Sequence, residues 1–482
     1  MSLQLHLRLT APLLAFACLV QAQDGVSTAG AARTRYLSGL GVIPAAREVV
    51  VEDFVNYHRH EIPRPKAGSS VALDLRWGAA SVSKGGDGVL QVGISTALVH
   101  DRDRLRPLNL SLVIDKSGSM ASAEKLVRVK EALRALVPKL RPSDVLSIVA
   151  FDSNAEVLMP AELVGNREKA QEIIDSLEPG SSTNLNGGLM LGYEEDLKHF
   201  SKESTNRVIL LTDGIANKGE VNPARIAENS LGYNDRGIDL STIGVGEDLN
   251  KDLLQVLAKS GRGLFHFVAD SQDIAKVFDN EVQSLLSPVA TEPRLEITCD
   301  PRVRIEKVYG YEANVDGGSA RINLDNLNSG MTEVVLLKLK PTEERSKLPV
   351  QVRLSYFDLD RNKEEDQTQT TSLVLGEKGA ERFQDDSVAK NYTIATLAQA
   401  IHDMAADCEN QRYADAENVL NIAISSAAEQ YPNGEDQDIL RTLDIALKYQ
   451  SLLKARNRDS ETVDQMPINY AVAQSGPSLR SG

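Results

Sequence analysis

The sequence predicts a multi-domain α/β plus β chain: a doubly wound, mostly parallel sheet, a β-sandwich, and a C-terminal helical region. Three observations predict it. Between residues 107 and 287, nearly all-apolar strands alternate with amphipathic helices, the rhythm of a parallel sheet covered on both faces. On either side of that block, short segments alternate polar and apolar side chains and are split by turn residues, as sandwich strands are. Residues 385–457 carry apolar stripes at helical spacing. A chain of 482 residues has room for several domains at roughly 100–200 residues each.

In chain order, residues 1–22 read as a cleaved secretory signal. Arg8 supplies the positive start, residues 11–20 (APLLAFACLV) a short apolar run, and Val20-Gln21-Ala22 a cleavage site before Gln23. The run is about half the roughly 20 residues a membrane span needs, and no later stretch reaches that length. Cys18 as a lipoprotein cysteine has a poor lead-in. Residues 23–46 are rich in Gly, Ala, Ser and Thr without periodicity and read as a linker. Residues 47–106 form an N-terminal extension whose two strands, 70–79 and 88–98, alternate as half-buried strands do.

The α/β block (107–287) follows. Strands are expected at 108–114, 145–151, near Val157, and at 207–212, 238–245 and 263–269. Helices are expected at 122–140, 167–177, 186–200, after Pro223, at 250–260 and at 271–286. Residues 288–378 read as the β-sandwich. The strands before the α/β block should pack with those after it, because left alone they would expose open edges. Residues 385–457 are helical, and 458–482 is a polar, unpatterned tail expected to be disordered.

Composition removes several function classes. The formal net charge is −15, from 53 basic and 68 acidic residues, which argues against a nucleic-acid partner. Aromatics are 5% with a single Trp, too few for a stacking platform. Three cysteines cannot make a disulfide scaffold; Cys299 and Cys408 could pair or stay as separate thiols.

The sharpest motif lies where strands meet loops. Asp115-Lys116-Ser117-Gly118-Ser119 follows the first strand of the block, Thr183 sits in a Gly-Ser-Ser-Thr-Asn turn, and Asp213 follows Thr212 at another strand end. In such sheets the carboxyl ends of the strands share one rim. Asp115, Ser117, Ser119, Thr183 and Asp213 would therefore present three hydroxyls and two carboxylates, an all-oxygen set suited to a hard cation such as Mg²⁺, with Mn²⁺ or Ca²⁺ as substitutes. Two carboxylates with three neutral hydroxyls leave the metal short of ligands and open to a carboxylate from a protein partner.

Asp115-x-Ser117-x-Ser119 with Thr183 and Asp213 resembles the metal-ion-dependent adhesion site of the von Willebrand factor A family, with all five positions in order. The segment EVVVEDFVNYHRHEIPRP and the VALDL strand are similar to the extension of bacterial secreted members, which also carry a β-rich and a helical C-terminal region. The resemblance spans about residues 47–456. It departs at His58 and His60, where the family usually has aromatics. It implies a non-enzymatic, secreted or periplasmic protein with metal-dependent protein binding and possible envelope association. The alternative is an accessory subunit of a cytoplasmic ATP-driven remodelling or metal-insertion complex; the export signal speaks against it, and no phosphate-binding loop is present.

Other motifs read blandly. His58-x-His60 has no cysteine nearby and reads as a surface loop. A serine nucleophile at Ser117 or Ser119 lacks a histidine on the rim, since His199 ends a helix and His266 alternates within a strand. Asp358-x-Asp360-x-Asn362 lacks the Gly and terminal Glu of a calcium loop and reads as a charged hairpin tip.

Overall fold

The computed structural model describes residues 29–460 apart from 84, 99–105, 214–215, 247–248, 269–287, 344–346, 377–382, 433 and 435. The expected signal peptide, the helix expected at 271–286 and residues 461–482 lie outside the described residues.

The α/β domain is built on a six-stranded sheet: β4 (Leu108–Asp115), β5 (Val145–Phe151), β6 (Ala155–Leu163), β7 (Thr205–Thr212), β8 (Ile238–Val245) and β9 (Arg262–Val268). The order is β6-β5-β4-β7-β8-β9, with only the β5–β6 pair antiparallel. Strand order therefore reverses at β4, which makes its carboxyl end a switch point, the place where doubly wound sheets bind ligands.

Alternation along β4 explains its unbroken apolar run. Leu108, Leu110, Leu112 and Ile114 face α3 (Lys125–Leu136) and α4 (Arg167–Asp175). Val113 faces the opposite layer, formed by α5 (Leu185–Lys198), α6 (Pro223–Asn234) and α7 (Lys251–Ser260). Helices on both faces leave no solvated side, so every β4 residue is buried.

The flanking strands do pair across the domain between them. β3 (Gly88–Thr96) lies beside β1 (Val71–Trp77) and β15 (Thr332–Pro341), in a four-stranded sheet completed by β11 (Val303–Tyr309). A second sheet holds β12 (Ala313–Asp316), β13 (Ser319–Asn323), β10 (Pro288–Cys299), β16 (Lys347–Asp358), β17 (Lys363–Gly376) and β2 (Val82–Ser83), with β14 (Leu327–Asn328) beside β10. One core joins the two sheets. The α/β domain is inserted between β3 and β10 of this sandwich.

Four expectations need correction. β3 is buried at every position rather than alternately, because the helical region covers the outer face of its sheet. There α8 (Asp386–Glu409) packs with α9 (Tyr413–Gln430) and α10 (Gln437–Ser460), and Asn391 Nδ2 donates to Gln91 Oε1 at 2.9 Å. α10 continues to Ser460, past the expected start of the tail at 458. Within the expected linker 23–46, Ala29–Leu40 is helical (α1) and docked. Ala31 and Leu37 are buried, Tyr36 lies against Phe267 of β9, and Tyr449 of α10 donates to the Thr34 carbonyl at 3.0 Å. Small residues there serve close packing: a Cβ on Gly30 would stand 2.7 Å from Val50 Cβ.

His58 and His60, expected on a surface loop, are buried, with His58 Nδ1 3.8 Å from Asp438 of α10. Their rings meet edge-on at 4.6 Å, and His60 Nε2 pairs with Asn56 Oδ1 at 3.0 Å. Burial pushes His58 down to about 4. Cys299 and Cys408 are both free and buried.

Candidate functional site

β4 ends at Asp115 and β7 at Thr212, so both lead onto the same rim. Asp115 is fully buried at the bottom of the site. Its Oδ1 accepts the Ser117 amide at 2.8 Å and its Oδ2 accepts the Thr212 hydroxyl at 2.6 Å. Burial pushes the Asp115 carboxyl up to about 6, against the pull of those hydrogen bonds.

A line of oxygens rises from there. Ser117 Oγ is 3.1 Å from Ser119 Oγ, and Ser119 Oγ donates to Asp213 Oδ1 at 2.7 Å. The second Asp213 oxygen takes the Lys125 ammonium at 2.6 Å. Ser117, Thr183 and Asp213 are all nearly inaccessible.

Backbone contacts hold the third loop against the other two. The Gly118 amide donates to the Ser181 carbonyl at 3.0 Å, and the Gly180 amide donates to the Lys116 carbonyl at 2.5 Å. A Cβ on Gly118 would stand 3.4 Å from the carbonyl oxygens of both Gly180 and Ser181, an ordinary contact distance. The Thr183 amide donates to Asn217 Oδ1 at 2.8 Å, and the Asn217 amide returns to the Thr183 carbonyl at 3.1 Å. The Thr183 loop is thus laced to the Asp213 loop. Asn184 then caps α5, accepting the Gly187 amide.

The structure therefore joins Asp115, Ser117, Ser119 and Asp213 through side chains and brings in the Thr183 loop through backbone. Sequence reasoning missed Thr212, Lys125 and Asn217. Thr212 was adjacent to a chosen residue, the only polar side chain ending the RVILLT strand, and could have been found. Among the described residues, no group of three or more His, Cys, Asp or Glu is placed to hold a metal ion. Of the five sequence-predicted site residues, two are carboxylates, Asp115 and Asp213.

A switch-point rim of hydroxyls and carboxylates on a doubly wound sheet defines a Rossmann-like α/β domain. Residues 109–280 match the von Willebrand factor type A domain, and the chain carries that domain. Such domains mediate protein–protein interactions and commonly bind a divalent cation at a metal-ion-dependent adhesion site. The chain is 30% identical over 318 residues to the uncharacterized protein YfbK of Escherichia coli, covering 63% of this chain and 54% of the relative. It is 30% identical over 200 residues to inter-alpha-trypsin inhibitor heavy chain H3 of Rattus norvegicus, covering 39% of this chain and 22% of that one. It thus spans about half of the first relative and less of the second. A solved structure, a von Willebrand factor type A protein from Catenulispora acidiphila, superposes with a TM-score of 0.50 at 16% identity, covering 81% of this chain and 91% of that one. That likeness is one of fold. No helix among the described residues is long and apolar enough to cross a membrane.

Proposed function

We propose that the chain is a secreted or periplasmic, non-enzymatic binding protein. Its rim holds Mg²⁺, or Mn²⁺ or Ca²⁺ in its place, through Asp115, Ser117, Ser119, Thr183 and Asp213, and captures an acidic residue of a protein partner. One observation carries this reading: Ser117 Oγ, Ser119 Oγ and Asp213 Oδ1 stand 3.1 and 2.7 Å apart in sequence. With Mg–O distances of about 2.0–2.1 Å, neighbouring corners of an octahedron are about 3 Å apart, so these oxygens have the spacing of adjacent ligands. The donors are all oxygen, as a hard cation requires.

A bound cation would supply a Lewis-acid position for the partner's carboxylate. The protein's own part is to hold the donors in place. Asp115 is fixed at both oxygens, and the three loops are tied by backbone hydrogen bonds. Export is supported by Arg8, the apolar run 11–20 and the Val20-Gln21-Ala22 site. Titration with Mg²⁺ and Mn²⁺ should give one site in the wild type and none in Asp115→Ala; equal affinity in the two would remove the metal reading. A pull-down from envelope extract, with and without EDTA, should recover a partner only without EDTA.

A further inference from the structure

The rim contains a cation of its own. Lys125 is the first residue of α3, and Glu124 before it has φ 56°, a left-handed bend that turns the chain from the 3₁₀ turn Gly118–Glu124 into the helix. A non-glycine residue in that conformation carries strain. The bend sends the Lys125 side chain inward, where it is only 16% exposed and its ammonium sits 2.6 Å from the fully buried carboxylate of Asp213. A second observation fixes its place. A Cβ on Gly246, just past the end of β8, would stand 3.0 Å from Lys125 Nζ. The ammonium therefore lies between the carboxyl ends of β7 and β8, inside the rim. A second lysine beside the rim, Lys116, is paired with Asp152 at 3.6 Å and Glu156 at 3.2 Å.

We infer that Lys125 is a built-in counter-cation that sets the charge of the site, lowering its affinity for the divalent ion and strengthening its hold on the partner's carboxylate. The argument rests on the reading that Asp213 ligates a divalent cation. Asp115 and Asp213 carry two negative charges, which a divalent ion alone would cancel. With the fixed ammonium added, the loaded site is net positive and attracts an anion; the empty site keeps one negative charge and does not. Lys125 acts through Asp213 and is a positioning residue: Ser119 holds one oxygen of that carboxylate and Lys125 the other. The same charge repels the incoming metal at short range, where like charges in a partly buried site interact strongly.

The test uses the full chain with Mn²⁺ and acetate as probes. Metal affinity is read by calorimetry. Acetate capture is read from the water-proton relaxation of bound Mn²⁺, which falls as acetate replaces a bound water. Lys125→Met and Lys125→Gln should bind Mn²⁺ roughly tenfold more tightly than wild type and need roughly tenfold more acetate. Lys125→Arg should follow the wild type. Mn²⁺ binding that is unchanged or weaker in both neutral variants overturns the role of Lys125 while leaving the metal site standing. Absence of Mn²⁺ binding in wild type and variants alike overturns the metal site and this inference with it. Thermal unfolding in EDTA identifies any variant that fails to fold, and the other neutral variant then decides.

Discussion

The Thr212 hydroxyl donates to Asp115 Oδ2 at 2.6 Å, joining the ends of two adjacent parallel strands beneath the rim. Asp115 has no exposed surface, so Thr212 provides what water would otherwise provide. Thr212→Val keeps the shape and deletes the donor. It should cost about 1–3 kcal/mol in urea unfolding and weaken Mn²⁺ binding, whereas Thr212→Ser should stay close to wild type. Equal stability of the Val and Ser variants would show that the bond contributes nothing.

The contrast between Thr212 and Lys125 illustrates what the sequence could reveal. Asp115, Ser117, Ser119 and Asp213 were legible because strand-end loops of an α/β block converge by topology, so local spacing predicts a shared rim. The pairing of β1 and β3 with β15 was legible because unpaired strands need partners. Lys125 was not. Its contact with Asp213 crosses 88 positions, and nothing in the helical stripe of α3 marks an inward-pointing lysine. α1 was missed for a related reason: AGAARTRYLSGL has almost no amphipathic pattern, because α1 is packed from more than one side, against β9 and α10. His58 and His60 were misread because neutral histidines can occupy apolar positions when a neighbour accepts their proton.

α5 carries the Thr183 loop, and its seat on the sheet is tight. A Cβ on Gly192 would stand 2.2 Å from Val113 Cγ2 of β4, in a fully buried layer. Gly192→Ala should destabilise the fold by about 1–3 kcal/mol, more than the helix-propensity gain of about 1 kcal/mol returns. Gly232, in α6, has nothing within 4 Å of an added Cβ. Gly232→Ala should be neutral or stabilising by up to about 1 kcal/mol. Thermal melts should fall for Gly192→Ala and hold level or rise for Gly232→Ala.

Arg33 ties α1 to the α/β domain. Its guanidinium pairs with Glu48 at 3.3 Å, with both side chains largely buried, and lies 5.1 Å over the Phe267 ring of β9. Arg33→Ala removes the guanidinium from the buried Glu48 carboxylate. The expected loss is about 3 kcal/mol. Limited proteolysis should then cut near α1 before the rest of the chain; unchanged cleavage would mean that apolar contacts alone hold the helix.

Glu333 supplies a pH dependence of defined sign. It sits on β15 with 6% exposure, and its Oε1 accepts the Tyr311 hydroxyl at 2.8 Å. Burial raises its carboxyl from the ordinary 4.5 to about 7. The folded chain therefore keeps the proton that the unfolded chain gives up. Stability from this group is fully present below pH 4.5 and is lost as pH rises to about 7, by up to about 3 kcal/mol. Glu333→Gln retains an acceptor for Tyr311 and removes the titration. Relative to wild type, the variant should gain stability between pH 5 and pH 8 in urea unfolding. A stability difference that is the same at both pH values would mean that Glu333 titrates alike in the folded and unfolded chains.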